Sequence, residues 1–335
     1  MTRPRRGDGR VTRLHYVGCT GGRLGNQLLA AAHLLAFALD EREAGRPVEI
    51  VQLPLLRYAP LLARAELDPL LRIPGPLRPA APPSARLVRA WASRVGGQKA
   101  KVPEKLYVPW VKATKGRRFL DLRARADRLP LDGDEFGGFL GRGGDRWSCG
   151  FGLRAWGLLR RRRAEVADWL AFRDVHRRPA GQLLGRLRAR IGGGKLVGLV
   201  LRQGDYAGYL GGRWHHPSAR YAGWGRQLVE RFGPDTHLLI VSDDPQEPAT
   251  FDGLPFTFGT GAAVGPGHYL ENLVALAGCD LIVSVPSTFG ALASFYGGVP
   301  LMTIDGPDTD LATQPEMAGG LFDAARDPTF GLTCR

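Results

Sequence analysis

Hydrophobic positions follow two regimes along this chain. After residue 195, the apolar runs LVGLVL (196–201), HLLIVS (237–242), DLIVSV (280–285) and VPLMTI (299–304) alternate with segments of helical character near 220–232, 268–277 and 288–296. An unbroken run of about six apolar residues suits a strand buried on both faces, and such strands separated by helices predict a parallel, doubly wound sheet. Before residue 195 the pattern is less regular. Residues 14–18 predict a strand, a glycine-rich loop follows, 26–43 predict a long helix, and 48–53 a second strand, which makes a β-α-β unit.

Between 70 and 118 periodicity is lost among Pro and Gly, and residues 76–118 carry eleven Lys or Arg against one Glu. This stretch reads as an irregular basic insertion. A helix is expected from the arginine run at 160–163 through 172, another over 183–190, and IGGGK (191–195) has the composition of a linker. Two domains follow, 1–190 and 196–335, an organisation that 335 residues accommodate.

A net charge of +14 invites a nucleic-acid reading until its distribution is examined. Residues 1–195 hold 39 of the 46 Lys and Arg and 17 of the 32 acids, a balance of +22, while residues 196–335 stand at −8. The acidic half would repel a phosphate backbone, and the basic insertion is broken by Pro and poor in aromatics for stacking, so nucleic-acid binding is kept only as the alternative of a different class. The same split raises an anionic membrane surface as a partner. No signal-peptide core follows the basic N-terminus, and the longest apolar run, 28–39, is shorter than the roughly 20 residues a spanning helix needs. Cys19, Cys149, Cys279 and Cys334 are far apart and form no zinc or disulfide framework. The expectation is a cytoplasmic chain, with peripheral attachment at the inner face of the membrane as the version that the charge suggests.

In doubly wound sheets ligands bind beyond the carboxyl ends of the strands, and three polar clusters stand there. Arg202 and Asp205 follow the first run; a guanidinium so placed can grip a phosphate, or close the sheet rim as an ion pair with Asp205. Asp243 and Asp244 follow the second; a carboxylate can accept from the adjacent donors of guanine, hold Mg²⁺, or cap the next segment. Ser287, Thr288 and Phe289 open a helix after the third, where an N-cap and an anion site look alike. His215 and His216 follow shortly after the Arg202 cluster and are titratable candidates for a general base, beside Asp205, with an ordinary loop as the other reading.

GRLGNQ (22–27), VLRQGDY (200–206), SDD (242–244) and ENLVALAGCDLIVSVPSTF (271–289) occur in that order. Together they resemble the motifs of the fucosyltransferase superfamily of GT-B glycosyltransferases, in particular the bacterial α-1,2-fucosyltransferases of glycosyltransferase family 11. The resemblance covers 14–60 and 196–300. It implies two Rossmann-like domains facing a cleft, and inverting, metal-independent transfer of L-fucose from GDP-fucose to a hydroxyl of a glycan.

It implies further that Arg202 meets the diphosphate, that Asp244 or Asp243 reads guanine, and that Ser287, Thr288 and Phe289 hold phosphates and sugar. Gly25, Asn26 and Gln27 would approach the donor from the N-terminal, acceptor-binding domain, with no cofactor needed. Two departures stand out: Val200 replaces the motif's His, and Gln203 its second Arg. They leave open a transferase using another nucleotide sugar and a relative that has lost activity.

Overall fold

The computed structural model describes residues 11–17, 24–64, 71–72, 111–123, 128–141 and 143–316. The glycine loop at 18–23 and most of the basic insertion lie outside the described residues. The chain divides into two compact units, one ending at Ala171 and the other beginning at Phe172.

In the first unit, β1 (Thr12–Tyr16), β2 (Val48–Gln52), β3 (Leu71–Arg72), β4 (Phe119–Asp121) and β6 (Asp145–Cys149) form one sheet in the order β3-β2-β1-β6-β4. All its pairs are parallel. β5 (Leu129–Pro130) and β7 (Leu153–Arg154) pair separately. The Leu24–Glu43 helix is buried on nearly every side, which explains its weak amphipathicity and the run of Ala and Leu that composes it. Of the segment expected to be irregular, the described residues include an edge strand at 71–72 and helical turns at 111–118.

In the second unit, β8 (Leu196–Leu201), β9 (His237–Ser242), β10 (Phe256–Phe258), β11 (Leu281–Ser284) and β12 (Leu301–Thr303) form a parallel sheet in the order β10-β9-β8-β11-β12. β8 and β9 are buried at every position, as unbroken apolar runs require. Val197, Leu199 and Leu201 pack into a core with Tyr221, Trp224 and Leu228 of the Ser218–Phe232 helix. On the opposite face a Cβ at Gly198 would run into Leu276 and Cys279, so the glycine lets the Tyr269–Leu276 helix approach the strand. Both sheets are doubly wound, and the fold is α/β.

Two expectations are corrected. The arginine run does not begin one continuous helix: Trp156–Arg161 and Arg163–Trp169 are separate helices with non-helical backbone at Arg162 (φ −103°, ψ 18°). The boundary between units also lies before, not after, the Asp174–Ile191 helix. That helix buries Leu183 and Leu187, Leu184 fits where Gly278 has no side chain, and Arg188 grips Asp280 with two hydrogen bonds of 2.7 and 2.8 Å. Asp280 also accepts the N–H of Leu196 at 2.8 Å, which fastens the helix to the start of β8. A linker-like composition at 191–195 therefore marks a tight entry into a strand rather than a domain joint.

Candidate functional site

Strand order locates the site before any side chain does. From β8 the chain winds outward through β9 and β10, then crosses to β11 and β12 on the other side. The switch point lies between β8 and β11, where the connections leave in opposite directions and open a crevice beyond the carboxyl ends. The loops leaving those two strands carry Arg202 to Tyr206 and Pro286 to Thr288.

Arg202, 16 % exposed, stands at the end of β8 between two carboxylates. Its Nη1 lies 2.7 Å from Asp243 Oδ2 and its Nη2 donates to Asp205 Oδ1 at 3.0 Å. The guanidinium also stacks 4.7 Å above the ring of Tyr206. Tyr206 in turn donates its hydroxyl to the carbonyl of Pro286 at 2.7 Å, which ties the β8 loop to the β11 loop across the switch point. Burial pushes the Tyr206 phenol upward against the pull of Arg202, so it stays a protonated donor.

The two aspartates that follow β9 diverge. Asp243 accepts the backbone N–H groups of Gln203 at 2.8 Å and Gly204 at 3.4 Å in addition to its pairing with Arg202. It is thus committed to shaping the β8 loop. Asp244 is exposed, and its own N–H is held by Ser242 Oγ at 3.1 Å.

Gln203, at the place of the motif's second Arg, turns inward and is 9 % exposed. Its amide donates to the carbonyl of His216 at 3.1 Å and to Ser218 Oγ at 3.0 Å, and accepts from Gln246 Nε2 at 2.7 Å. Ser218 donates to Gln246 Oε1 at 2.7 Å and closes the ring of contacts. A neutral amide suits this buried pocket, where a guanidinium would require a counter-charge. His216 is buried as well, edge-on to Trp224 at 5.1 Å, and burial followed by the charges of Arg220 and His215 holds its pKa below the usual imidazole value. His215 is exposed.

Beyond β11, Ser287 caps the Thr288–Gly297 helix by accepting the N–H of Gly290 at 3.1 Å, with Ser284 Oγ 3.1 Å away. The cap uses the Ser287 hydroxyl, while the N–H groups of Thr288 and Phe289 have no backbone acceptor among the described residues. Thr288 and Phe289 are both half-buried. A helix N-terminus with two such donors is an anion site in outline.

The structure thus joins Arg202, Asp205 and Asp243 through direct contacts, links their loop to Pro286, the residue before the Ser287 cap, through Tyr206, and reaches the carbonyl of His216 through Gln203. Gly25, Asn26 and Gln27 belong to the first unit, in the first turn of its long helix, where Gln27 is buried and the other two are half-buried. Sequence reasoning overlooked Gln246, which nothing in a loop of mixed polar residues distinguishes. It also assigned no role to Tyr206, although that residue stands inside the quoted motif. Glu271 and Asn272 likewise prove to organise the 259–268 loop: Glu271 accepts from Thr260 Oγ1 at 2.8 Å and Asn272 from the N–H of Gly261 at 2.9 Å. Among the described residues no group of three His, Cys, Asp or Glu could hold a metal ion, and no helix is long and apolar enough to cross a membrane.

No protein-family model matches the chain, and no curated protein matches it. Similar folds occur among solved structures. A mutant of FUT1 from Arabidopsis thaliana in complex with GDP aligns with TM-score 0.47 and 13 % identity over 95 % of this chain and 78 % of that one. NodZ α-1,6-fucosyltransferase soaked with GDP-fucose aligns with TM-score 0.43 and 10 % identity over 91 % and 99 %. POFUT1 in complex with GDP aligns with TM-score 0.38 and 14 % identity over 86 % and 95 %. At scores below 0.5 these likenesses carry no functional weight, which falls to the chain's own side chains.

Proposed function

We propose that this chain is a glycosyltransferase that moves L-fucose from GDP-fucose to a hydroxyl of a glycan, with inversion and without a metal. One observation carries the reading. A cation and a helix N-terminus stand on the two sides of a sheet's switch point, fastened together by the Tyr206–Pro286 hydrogen bond. A nucleoside diphosphate is the ligand that two such anion-seeking groups fit. The motifs GRLGNQ, VLRQGDY, SDD and PSTF point the same way.

In this reading Arg202 meets the charge that develops on the leaving diphosphate, and the N–H groups of Thr288 and Phe289 meet its other oxygens. Ser287 acts on the ligand through the helix it caps. Asp244, exposed and outside the Arg202 cluster, is the carboxylate assigned to guanine. Asp205 and His215 are the candidates for help with the acceptor proton; the burial of His216 favours a packing role. Gly25, Asn26 and Gln27 are assigned to the donor from the first unit, whose basic residues suit an anionic acceptor or an anionic membrane surface.

A second reading, a nucleotide-binding relative without transferase activity, is favoured by the inward-turned Gln203, which supplies no second cation. Turnover of GDP-fucose, set beside GDP-mannose and UDP-sugars, tests the proposal. Release of GDP from GDP-fucose, slowed about 10²–10³-fold in R202A, is the expected outcome. Binding without turnover selects the second reading, and equal binding of GDP and UDP removes the guanine assignment.

A further inference from the structure

Arg202 carries one positive charge and is held by two carboxylates, so with Asp205 and Asp243 it forms a cluster of net charge −1. A diphosphate approaching that cluster meets repulsion unless one carboxylate yields. The two are not equivalent. The Asp243 side chain is 20 % exposed, pairs with Arg202 at 2.7 Å and accepts two backbone N–H groups of the loop that bears Arg202. The Asp205 side chain is 44 % exposed, and its contact with Arg202 spans three residues of one loop. Asp243 is tied to the backbone of the loop that bears Arg202, whereas the Asp205 carboxylate is the more exposed of the two and the one that a ligand arriving from solvent can replace. The guanidinium would stay aimed by Asp243 below and by the Tyr206 ring against its face.

We propose that the two carboxylates have opposite duties: Asp243 is the permanent bracket that positions Arg202, and Asp205 is an internal stand-in for the diphosphate, displaced from Arg202 when the nucleotide binds. This rests on the reading of the switch point as a nucleoside-diphosphate site. It has a consequence for the order of events. Asp205 is engaged with Arg202 until the donor arrives and is turned outward afterwards, so the nucleotide binds first and the acceptor meets the released carboxylate second. It also takes Asp243 away from guanine, because its oxygens are already spent on Arg202 and the Gln203 and Gly204 N–H groups.

The two substitutions should move affinity in opposite directions. Titration calorimetry of the full chain with GDP, and with inorganic diphosphate as a probe lacking the base, reads both. D205N removes the competitor and should tighten both ligands by about two- to fivefold, the size of a partly exposed ion pair. D243N keeps an acceptor for the Gln203 N–H, so the loop folds, but it loses the bracket and should weaken both by about tenfold or more. A thermal melt of each variant separates loss of aim from loss of fold. Guanosine affinity, which does not involve the phosphates, should be unchanged in D205N.

Weaker or unchanged GDP binding in D205N would overturn the displacement, and loss of GDP but not diphosphate affinity in D243N would return Asp243 to the guanine. If the wild-type chain bound neither GDP nor diphosphate, the proposed function would fall and the displacement with it. Wild-type binding with unchanged D205N affinity would sink the displacement alone.

Discussion

In the second unit every residue of β8 and β9 is buried, whereas β1 of the first unit alternates buried with half-buried positions and β6 does so over most of its length. The difference lies in what covers the second face. β8 is packed on both sides by apolar residues. On one face of the first sheet, Arg13 donates to Glu49 at 2.8 Å, His15 lies 3.2 Å from Asp145 and stacks on Trp147 at 4.8 Å, and Lys115 lies over the same Trp147 ring. One parallel sheet is held by volume on two faces and the other by volume on one face and charge on the other. The first kind announces itself as apolar runs; the second mimics loop composition.

The contrast can be broken at several points. The largest effect is expected at the switch point of the second unit. R202A should lower turnover of GDP-fucose by about 10²–10³-fold, as removal of a charge-stabilising donor does elsewhere, in a steady-state assay of released GDP. A stability effect comes next. G198V places branched carbon against Leu276 and Cys279 and should destabilise the second unit by about 1–3 kcal/mol in denaturant titration. In the first unit, R13A removes the Arg13 hydrogen bond of the nearly buried Glu49 and should cost about 1–2 kcal/mol in the same titration.

Smaller effects test the charges that fasten the units internally. Burial raises the Asp280 carboxyl, but hydrogen bonds from Arg188 and from the N–H of Leu196 outweigh it and hold the pKa below the usual value. A depressed folded pKa contributes stability above the unfolded value, near 3.9, and that contribution is lost as pH falls through the folded one. D280N should therefore weaken the attachment of the Asp174–Ile191 helix by about 1 kcal/mol at neutral pH, and the difference from wild type should vanish in strong acid. The smallest signal is that of His216, held below the usual imidazole value by burial and the charges of Arg220 and His215. Its ring should titrate below pH 6.5 by NMR, and an unshifted value would reopen it as a general base.

How much of this was readable beforehand follows from the same contrast. β8, β9, β11 and β12 of the second unit appear in the sequence at nearly their observed limits, because their buried apolar runs leave little polar signal to confuse the period, whereas β10, three half-buried residues long, was not foreseen. β6, written DRWSC, was not foreseen, since its inward Arg146 and Ser148 alternate with Asp145 and Trp147 and carry no apolar signal. The Asp174–Ile191 helix was assigned to the wrong side of the boundary because Ile191 to Lys195 reads as a linker, while the Arg188–Asp280 pair that fixes it joins residues 92 apart. At the site, Arg202, Asp205 and Ser287 could be found from their places after apolar runs. What Asp243 touches could not, because an aspartate after a strand is equally suited to a base, a metal or a loop, and its hydrogen bonds to the N–H groups of Gln203 and Gly204 join residues 40 and 39 apart.

Hydrogen exchange by mass spectrometry with and without GDP tests the central claim most directly, because it reads the two sheets separately in one experiment. GDP should slow exchange in the segments covering residues 200–206 and 285–291, the two loops at the switch point of the second unit, and R202A should abolish that protection. Bound GDP with no protection in either segment would contradict the account.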